Sequence, residues 1–262
     1  MIESLENKKI KEFIKLKNNK KYRKEQNKFV IEGVRLIFDA IKMGVFVYEL
    51  FLTEECITKI ENSEYNITKL KEYILISEKV AKKMSSVKTP QGAFGVARGF
   101  VSFKIEEIKK KDLVLMLVEV KDPGNLGTLL RSAFSFGFLK IILVNCCEIY
   151  NEKVIRSSMG AVFGLSYLFV DNFLPTLNFF KLKKIKIFAT SLSKTSKNSE
   201  FLNGKTGVLI LGNEAKGLPE QLILNSDEII KIKMNKSFES LNVSCAGSIL
   251  MYEMSKNNPN FV

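Results

Sequence analysis

One stretch constrains this chain more than any other. Residues 113–120 are apolar but for Glu119, and they run into Asp122-Pro123-Gly124-Asn125 and then an amphipathic segment. A strand apolar on both faces has to be covered on both, the pattern of a central strand in a parallel sheet. Proline fixes φ while glycine and asparagine tolerate positive φ, so the tetrapeptide reads as the turn that ends the strand. Leu129, Leu130, Ala133, Phe134 and Phe136 then lay an apolar stripe along a helix over 126–136, stopped by Gly137. The rhythm continues with strands expected at 139–144, 165–170, 185–190, 207–212 and 228–233. Helices are expected at 151–159, 173–182, 218–224 and 242–256. Such alternation is an α/β fold with a mostly parallel, doubly covered sheet.

The front of the chain alternates as well. A basic amphipathic helix over 4–20 precedes strands at 29–31, 45–52, 73–76 and 93–96, with helices from Val34, from Glu54 and from Ser77. Residues 1–105 thus form a small α/β domain and 106–262 a larger one, with the charged segment 103–111 as the linker. A chain of 262 residues is long enough for both.

The formal charge of +13 favours a polyanionic partner, nucleic acid or an acidic membrane surface, over a merely lysine-rich composition. The run Lys20-Lys21-Tyr22-Arg23-Lys24 reads equally as a phosphate-contacting arm or as a solvated charge run. Lys20, Lys21, Arg23 and Lys24 are therefore the candidate phosphate contacts. The chain has no histidine, which excludes histidine-dependent triads and histidine-ligated metals. Cys56, Cys146, Cys147 and Cys245 lack paired C-x-x-C spacing, so no metal is expected, and reduced thiols fit a cytoplasmic protein. No apolar leader and no apolar run of membrane-spanning length is present, so a soluble chain is expected.

Polar groups recur at the ends of three strands. Asn125 and Arg131 follow the first. Gly212-Asn213-Glu214, with Gly217-Leu218-Pro219, follow the strand at 207–212. Ile232-Lys233-Met234 and Ser240-Leu241-Asn242-Val243-Ser244 precede the last helix, with Ser240 or Asn242 as its N-cap. If those strands are neighbours, Asn125, Arg131, Glu214, Ser240 and Asn242 meet at the C-terminal sheet edge, where open α/β sheets bind ligands. Neither a G-x-G-x-x-G nor a G-x-x-x-x-G-K-[ST] element follows any strand, which removes the common dinucleotide and phosphate-loop readings.

Taken together, these segments resemble the three motifs of the SpoU/TrmH-type RNA ribose 2′-O-methyltransferases of the SPOUT superfamily. Asp122-Pro123-Gly124-Asn125-Leu126-Gly127 with Arg131 matches the first motif. Leu211-Gly212-Asn213-Glu214 with Gly217 matches the second, and Ser240-Leu241-Asn242-Val243-Ser244 the third. Residues 150–161 are similar to the family between the first two motifs, and the likeness covers roughly 112–257. Lys28-Phe29-Val30-Ile31-Glu32-Gly33 with Ala40 and Gly44 resembles the substrate-binding domain that precedes the catalytic domain in many members. One departure is Lys233, which stands where the third motif usually carries a proline and restores a backbone donor.

The resemblance implies a deep trefoil knot made by the last strands and helix, and S-adenosylmethionine as methyl donor. The backbone at Gly212, Ile232 and Leu241 would hold the adenosine, with Thr190, Ser191, Leu192, Asn213 and Met234 in the same cleft. Arg131 takes the family's proposed base position; a guanidinium's high pKa leaves phosphate clamping and orientation of the hydroxyl as an equal alternative. Asn125 and Glu214 would fix Arg131, and Ser240 and Asn242 would orient the ribose and cofactor loop. A homodimer through the catalytic domain is also implied, with Phe163, Leu165, Phe173 and Met251 as interface or core. Ribosomal RNA is favoured over tRNA. The competing readings are a tRNA 2′-O-methyltransferase, a base methyltransferase, and a non-catalytic RNA-binding or ribosome-assembly protein on the same fold.

Overall fold

The helix expected over 4–20 is shorter, and the basic run beyond it forms a second one, with Asn19 at the junction. In the computed structural model, which describes residues 1–70, 72–193, 196–235 and 240–257, α1 (Lys8–Asn18) ends and α2 (Lys20–Gln26) begins on either side of it. The extended backbone of Asn19 stops the first helix. Its side-chain oxygen accepts the Tyr22 NH at 2.9 Å and caps the second. Ile10, Phe13 and Leu16 put one buried face of α1 onto Phe51 and Phe94, and the Phe13 ring meets both edge-on at 6.0 and 5.8 Å. Burying a phenylalanine this way contributes about 1.5–3 kcal/mol.

Arg23 is not part of a phosphate-facing arm. It is buried, and its Nη1 donates to the carbonyls of Leu16 and Lys17 at 2.6 Å, satisfying the last turn of α1. Lys20, Lys21 and Lys24 are exposed. The unit Met1–Phe100 continues through β1 (Lys28–Glu32), α3 (Val34–Lys42), β2 (Val47–Leu52), α4 (Glu54–Glu61), β3 (Ile74–Leu75), α5 (Glu78–Met84) and β4 (Ala93–Arg98). The sheet order is β1-β4-β2-β3, with β4 antiparallel to both neighbours and β3 parallel to β2.

The second unit is Val101–Val262. Its first residues correct the linker expected at 103–111. Ser102 bridges to Tyr167, and Phe103 and Ile108 are buried with Val114, Ile142 and Phe180. Apolar anchors at 103, 105 and 108 outweigh the charges between them. The unit then runs through β5 (Leu113–Val118), α6 (Pro123–Ser135), β6 (Lys140–Val144), α7 (Glu152–Ser157), β7 (Ser166–Val170), α8 (Phe173–Leu182), β8 (Ile187–Thr190), β9 (Lys197–Asn198), β10 (Gly207–Leu211), α9 (Glu220–Leu224), β11 (Glu228–Lys231) and α10 (Val243–Ser255).

All seven strands are parallel in the order β7-β6-β5-β10-β8-β11-β9. Alternate residues divide between the faces. Val114, Met116, Val118, Val208 and Ile210 pack with Leu177 and Phe180 of α8 and Leu222 of α9. On the other face α10 lies so close that a Cβ on Gly247 would come within 2.3 Å of Leu129 and 2.6 Å of Leu211. Phe163, Leu165 and Met251 are buried within the chain as core, and Phe173 is partly buried against that core. Among the described residues no helix is long and apolar enough to cross a membrane.

Replacing Arg23 with Met should destabilise the protein by about 1–3 kcal/mol, because two helix-end carbonyls lose their donor. Urea unfolding measures this. The salt dependence of RNA binding should not change, whereas neutralising Lys20, Lys21 and Lys24 together should flatten it.

Candidate active site

The turn after β5 is tighter than its composition suggests. Pro123 occupies the first position of α6 rather than a loop, and Asp122 is the N-cap, its Oδ1 accepting the Asn125 NH at 2.8 Å. Gly124 and Asn125 therefore lie in the first helical turn, three residues earlier than the expected helix. The Asn125 NH holds the Asp122 carboxyl below the ordinary aspartate range, and Lys153, 3.4 Å away, adds to this.

Glu214 reaches across from the end of β10. Its carboxylate accepts the NH groups of Lys121 and Asp122 at 3.4 and 3.2 Å, and the carboxamides of Asn125 and Asn213 at 3.2 and 3.4 Å. Burial opposes its charge. Hydrogen bonds from its own backbone, from Asn125 and from Asp122 and Lys121 overcome that and hold its pKa below the usual glutamate value. Asn125 in turn accepts Asn242 Nδ2 on Oδ1 at 2.9 Å. Asn242 is the N-cap of α10, chosen over Ser240, with its Oδ1 accepting the Ser244 NH at 2.8 Å and the Ser244 hydroxyl at 2.6 Å. The three motif segments are thus joined side chain to side chain.

Arg131 stands outside this network. Six residues along α6 rotate it by roughly 120° from Asn125, and neither Asn125 nor Glu214 touches it. It is exposed, with no ion pair or hydrogen bond to any described residue. The expectation that Asn125 and Glu214 fix Arg131 is corrected accordingly.

Beside the network lies a cleft of about 490 Å³. Thr190, Ser191, Leu192, Gly212, Asn213, Ile232, Met234 and Leu241 all line it, with Glu214 and Ser240 at its edge. Gly212 is needed for a backbone approach: a Cβ there would sit 2.5 Å from the Gly217 carbonyl carbon and oxygen and 2.7 Å from the Leu218 nitrogen. Asn213 and Gly217 exchange both backbone hydrogen bonds at 3.0 Å, and Asn213 Oδ1 accepts the Ala215 and Lys216 NH groups at 3.0 Å. Asn213 Nδ2 also donates at 2.9 Å to the carbonyl of Glu119, itself at φ +56° just past β5. This folded loop is one wall of the cleft.

Of the lining, Leu218 and Val243 stood in the quoted motif segments without a role, and Ile230 and Leu250 were not singled out from their apolar strand and helix. Ser244 stood in the third motif without a role, and the structure gives it one, since both its NH and its hydroxyl donate to Asn242 Oδ1. Cys147 lies near the carboxylates of Asp122 and Glu214. Burial foremost, then those charges, pushes its thiol up to about 11, so it is a protonated group there. A larger hollow, about 570 Å³ among Lys111, Asp112, Lys140 and Lys205, opens at the opposite sheet edge, away from every motif.

A seven-stranded parallel sheet with this cleft and network at its C-terminal edge is the build of SPOUT methyltransferases. Residues 112–252 match the SpoU rRNA Methylase family, and residues 7–95 match the MRM3-like substrate binding domain. The 23S rRNA (guanosine(2553)-2′-O)-methyltransferase RlmP of Bacillus subtilis is 31% identical over 97% of this chain and 98% of its own length. Human mitochondrial rRNA methyltransferase 3 is 35% identical over 59% of this chain and 39% of its own length. The crystal structure of an AdoMet-bound rRNA methyltransferase from Sinorhizobium meliloti superposes with a TM-score of 0.84 at 26% identity, covering 98% of this chain and 97% of that one. The chain belongs to the SpoU rRNA Methylase family and is a methyltransferase acting on RNA.

The depressed Glu214 pKa has a testable sign. Its stabilising contribution is complete above the unfolded value, about 4.3, and is lost as pH falls through the lower folded value. Glu214→Gln should therefore lower the melting temperature at pH 7, and the gap from the parent protein should close on acidification. A gap that stays constant into strong acid would show that the charge does not hold the network.

Proposed function

We propose that this chain transfers a methyl group from S-adenosylmethionine to a ribose 2′-hydroxyl of 23S ribosomal RNA, as a cytoplasmic homodimer. One observation carries the reading: the three motif segments meet at one sheet edge beside a nucleoside-sized cleft, and Arg131, on the helix of the first motif, is exposed with no partner among the described residues. The full-length similarity to a 23S rRNA 2′-O-methyltransferase supports the choice of ribose and of ribosomal RNA.

The lining suits the cofactor. Leu211, Leu218, Ile230 and Leu250 offer an apolar bed, while Thr190, Ser191, Ser240 and the backbone of the Asn213–Gly217 loop offer donors and acceptors. Gly212, Ile232 and Leu241 would hold the adenosine, with Leu192, Asn213 and Met234 completing the wall. When bound, S-adenosylmethionine supplies a methyl group on a positively charged sulfur. The knot expected for this family falls between β8 and α10, the segment that bears most of these residues.

The rest of the work belongs to the chain. Asn125, Glu214 and Asn242 spend their hydrogen-bonding capacity on one another and on the loop backbones, so they act by holding the edge rigid. Arg131 keeps its planar fork free to grip an RNA phosphate and orient the neighbouring hydroxyl, a role that positioning alone makes worth ~7 kcal/mol or more. Transfer of labelled methyl groups to 23S ribosomal RNA tests the activity, and mass spectrometry of the digested nucleosides separates ribose from base methylation. Failure to label any RNA would sink the proposal. Light scattering at micromolar concentration tests the dimer, and an active monomer would remove it.

Arg131→Lys should lose about a hundredfold or more in single-turnover rate, ~2.7 kcal/mol, with S-adenosylmethionine affinity nearly unchanged. A lysine keeps the charge but not the two-pronged grip. Near-normal turnover would make Arg131 an ordinary surface residue.

A further inference from the structure

On the front unit, two large aromatic rings stand in solvent where the strand pattern alone would have room to bury them. Phe46 is 60% exposed and Tyr48 46% exposed, and their rings meet edge to face at 4.9 Å. A bulge sets them there. Val47 pairs with Ala97 and Glu49 with Val96, so Tyr48 is the extra residue on β2 and its side chain is aimed outward. Phe46 is held from behind, its carbonyl accepting the Arg98 NH at 2.9 Å.

Cations flank the rings with no neutralising carboxylate among the described residues. Lys28 of β1 lies directly opposite Arg98 of β4, a like-charge pairing that weakens a sheet unless something else uses it. The Lys28 ammonium stands over the Tyr48 ring at 4.9 Å, and neither Lys28 nor Arg98 is ion-paired to a described carboxylate. Nearby Glu49 is already taken by Lys9 at 2.8 Å. Exposed aromatic rings beside cations that no described carboxylate neutralises are what unpaired nucleotides need. The rings take the bases, whichever they are, and the cations take the phosphates. A duplex, with its bases already stacked, could use the cations only.

We infer that Phe46 and Tyr48, with Lys28 and Arg98, form a stacking platform for single-stranded RNA on the front unit. This deepens the reading of the chain as an RNA methyltransferase and rests on it. The platform binds and orients substrate and takes no part in methyl transfer.

The test uses the full chain and a fluorescein-labelled oligouridylate of about 12 nucleotides, alone and as a duplex with oligoadenylate. The parent protein should bind the single strand at least about tenfold more tightly than the duplex. The double variant Phe46→Ala/Tyr48→Ala should raise the single-strand Kd at least about tenfold without altering the salt slope. Lys28→Gln/Arg98→Gln should flatten that slope, and Tyr48→Phe should bind like the parent. In methylation of ribosomal RNA the aromatic double variant should raise KM and leave kcat. Both side chains are exposed, so an unchanged melting temperature certifies the fold; should the double variant unfold, Phe46→Leu/Tyr48→Leu takes its place with the same expected losses. Equal binding of duplex and single strand, or an unchanged Kd and KM in the aromatic variant, overturns the platform. A parent protein that methylates ribosomal RNA but ignores the oligouridylate also overturns it. A parent protein that binds the oligouridylate as expected but methylates no RNA instead defeats the functional reading and leaves the platform standing.

Discussion

β10 enters the sheet between β5 and β8, and the rest of the site depends on its register with β5. Gly207 lies opposite Leu113 and Leu211 opposite Leu117. The residues just past both strands therefore emerge side by side, and the Glu214 carboxylate arrives over the NH groups of Lys121 and Asp122. A slip of one residue would turn every side chain of β10 to the other face and carry Glu214 away from its donors. Parallel pairing supplies the second half of the constraint. It puts every strand end on one edge, so loops distant in sequence share a single neighbourhood.

Two glycines convert that neighbourhood into a shape. Gly212 lets the Gly217–Leu218 backbone fold back onto β10, making one wall of the cleft, and Gly247 lets α10 lie against Leu129 and Leu211. A methyl group at either place would collide, and overpacking of this kind typically costs about 1–3 kcal/mol. Seating α10 so closely brings its cap, Asn242, to Asn125. Backbone proximity thus builds the polar network, and the network then fixes the loops.

The charge of the molecule is distributed for use as well as for solubility. Lys20, Lys21 and Lys24 remain exposed while Arg23 is absorbed into the end of α1. At the site, carboxylates are matched by donors, and Arg131 is left charged with no partner among the described residues. A protonated Cys147 adds no competing nucleophile.

Much of this was legible in the chain before folding. The apolar run ending at Asp122-Pro123 and the spacing of later runs determined six of the seven strands, the main helices and the parallel class, because local periodicity and caps are written in neighbouring residues; the two-residue β9 is too short to leave such a pattern. Motif likeness also singled out eight of the residues that line the cleft, Thr190, Ser191, Leu192, Gly212, Asn213, Ile232, Met234 and Leu241. What neighbouring residues cannot carry, tertiary structure decided. Proline at the start of α6 drew Gly124 and Asn125 into the helix, and helical rotation then parted Arg131 from Asn125. Phe103 and Ile108 made core out of a segment whose charge suggested a linker. Arg23 turned inward because two carbonyls at the end of α1 lay within its reach. Each outcome depends on which distant group arrives within a few ångströms, and strand order settles that rather than any local pattern.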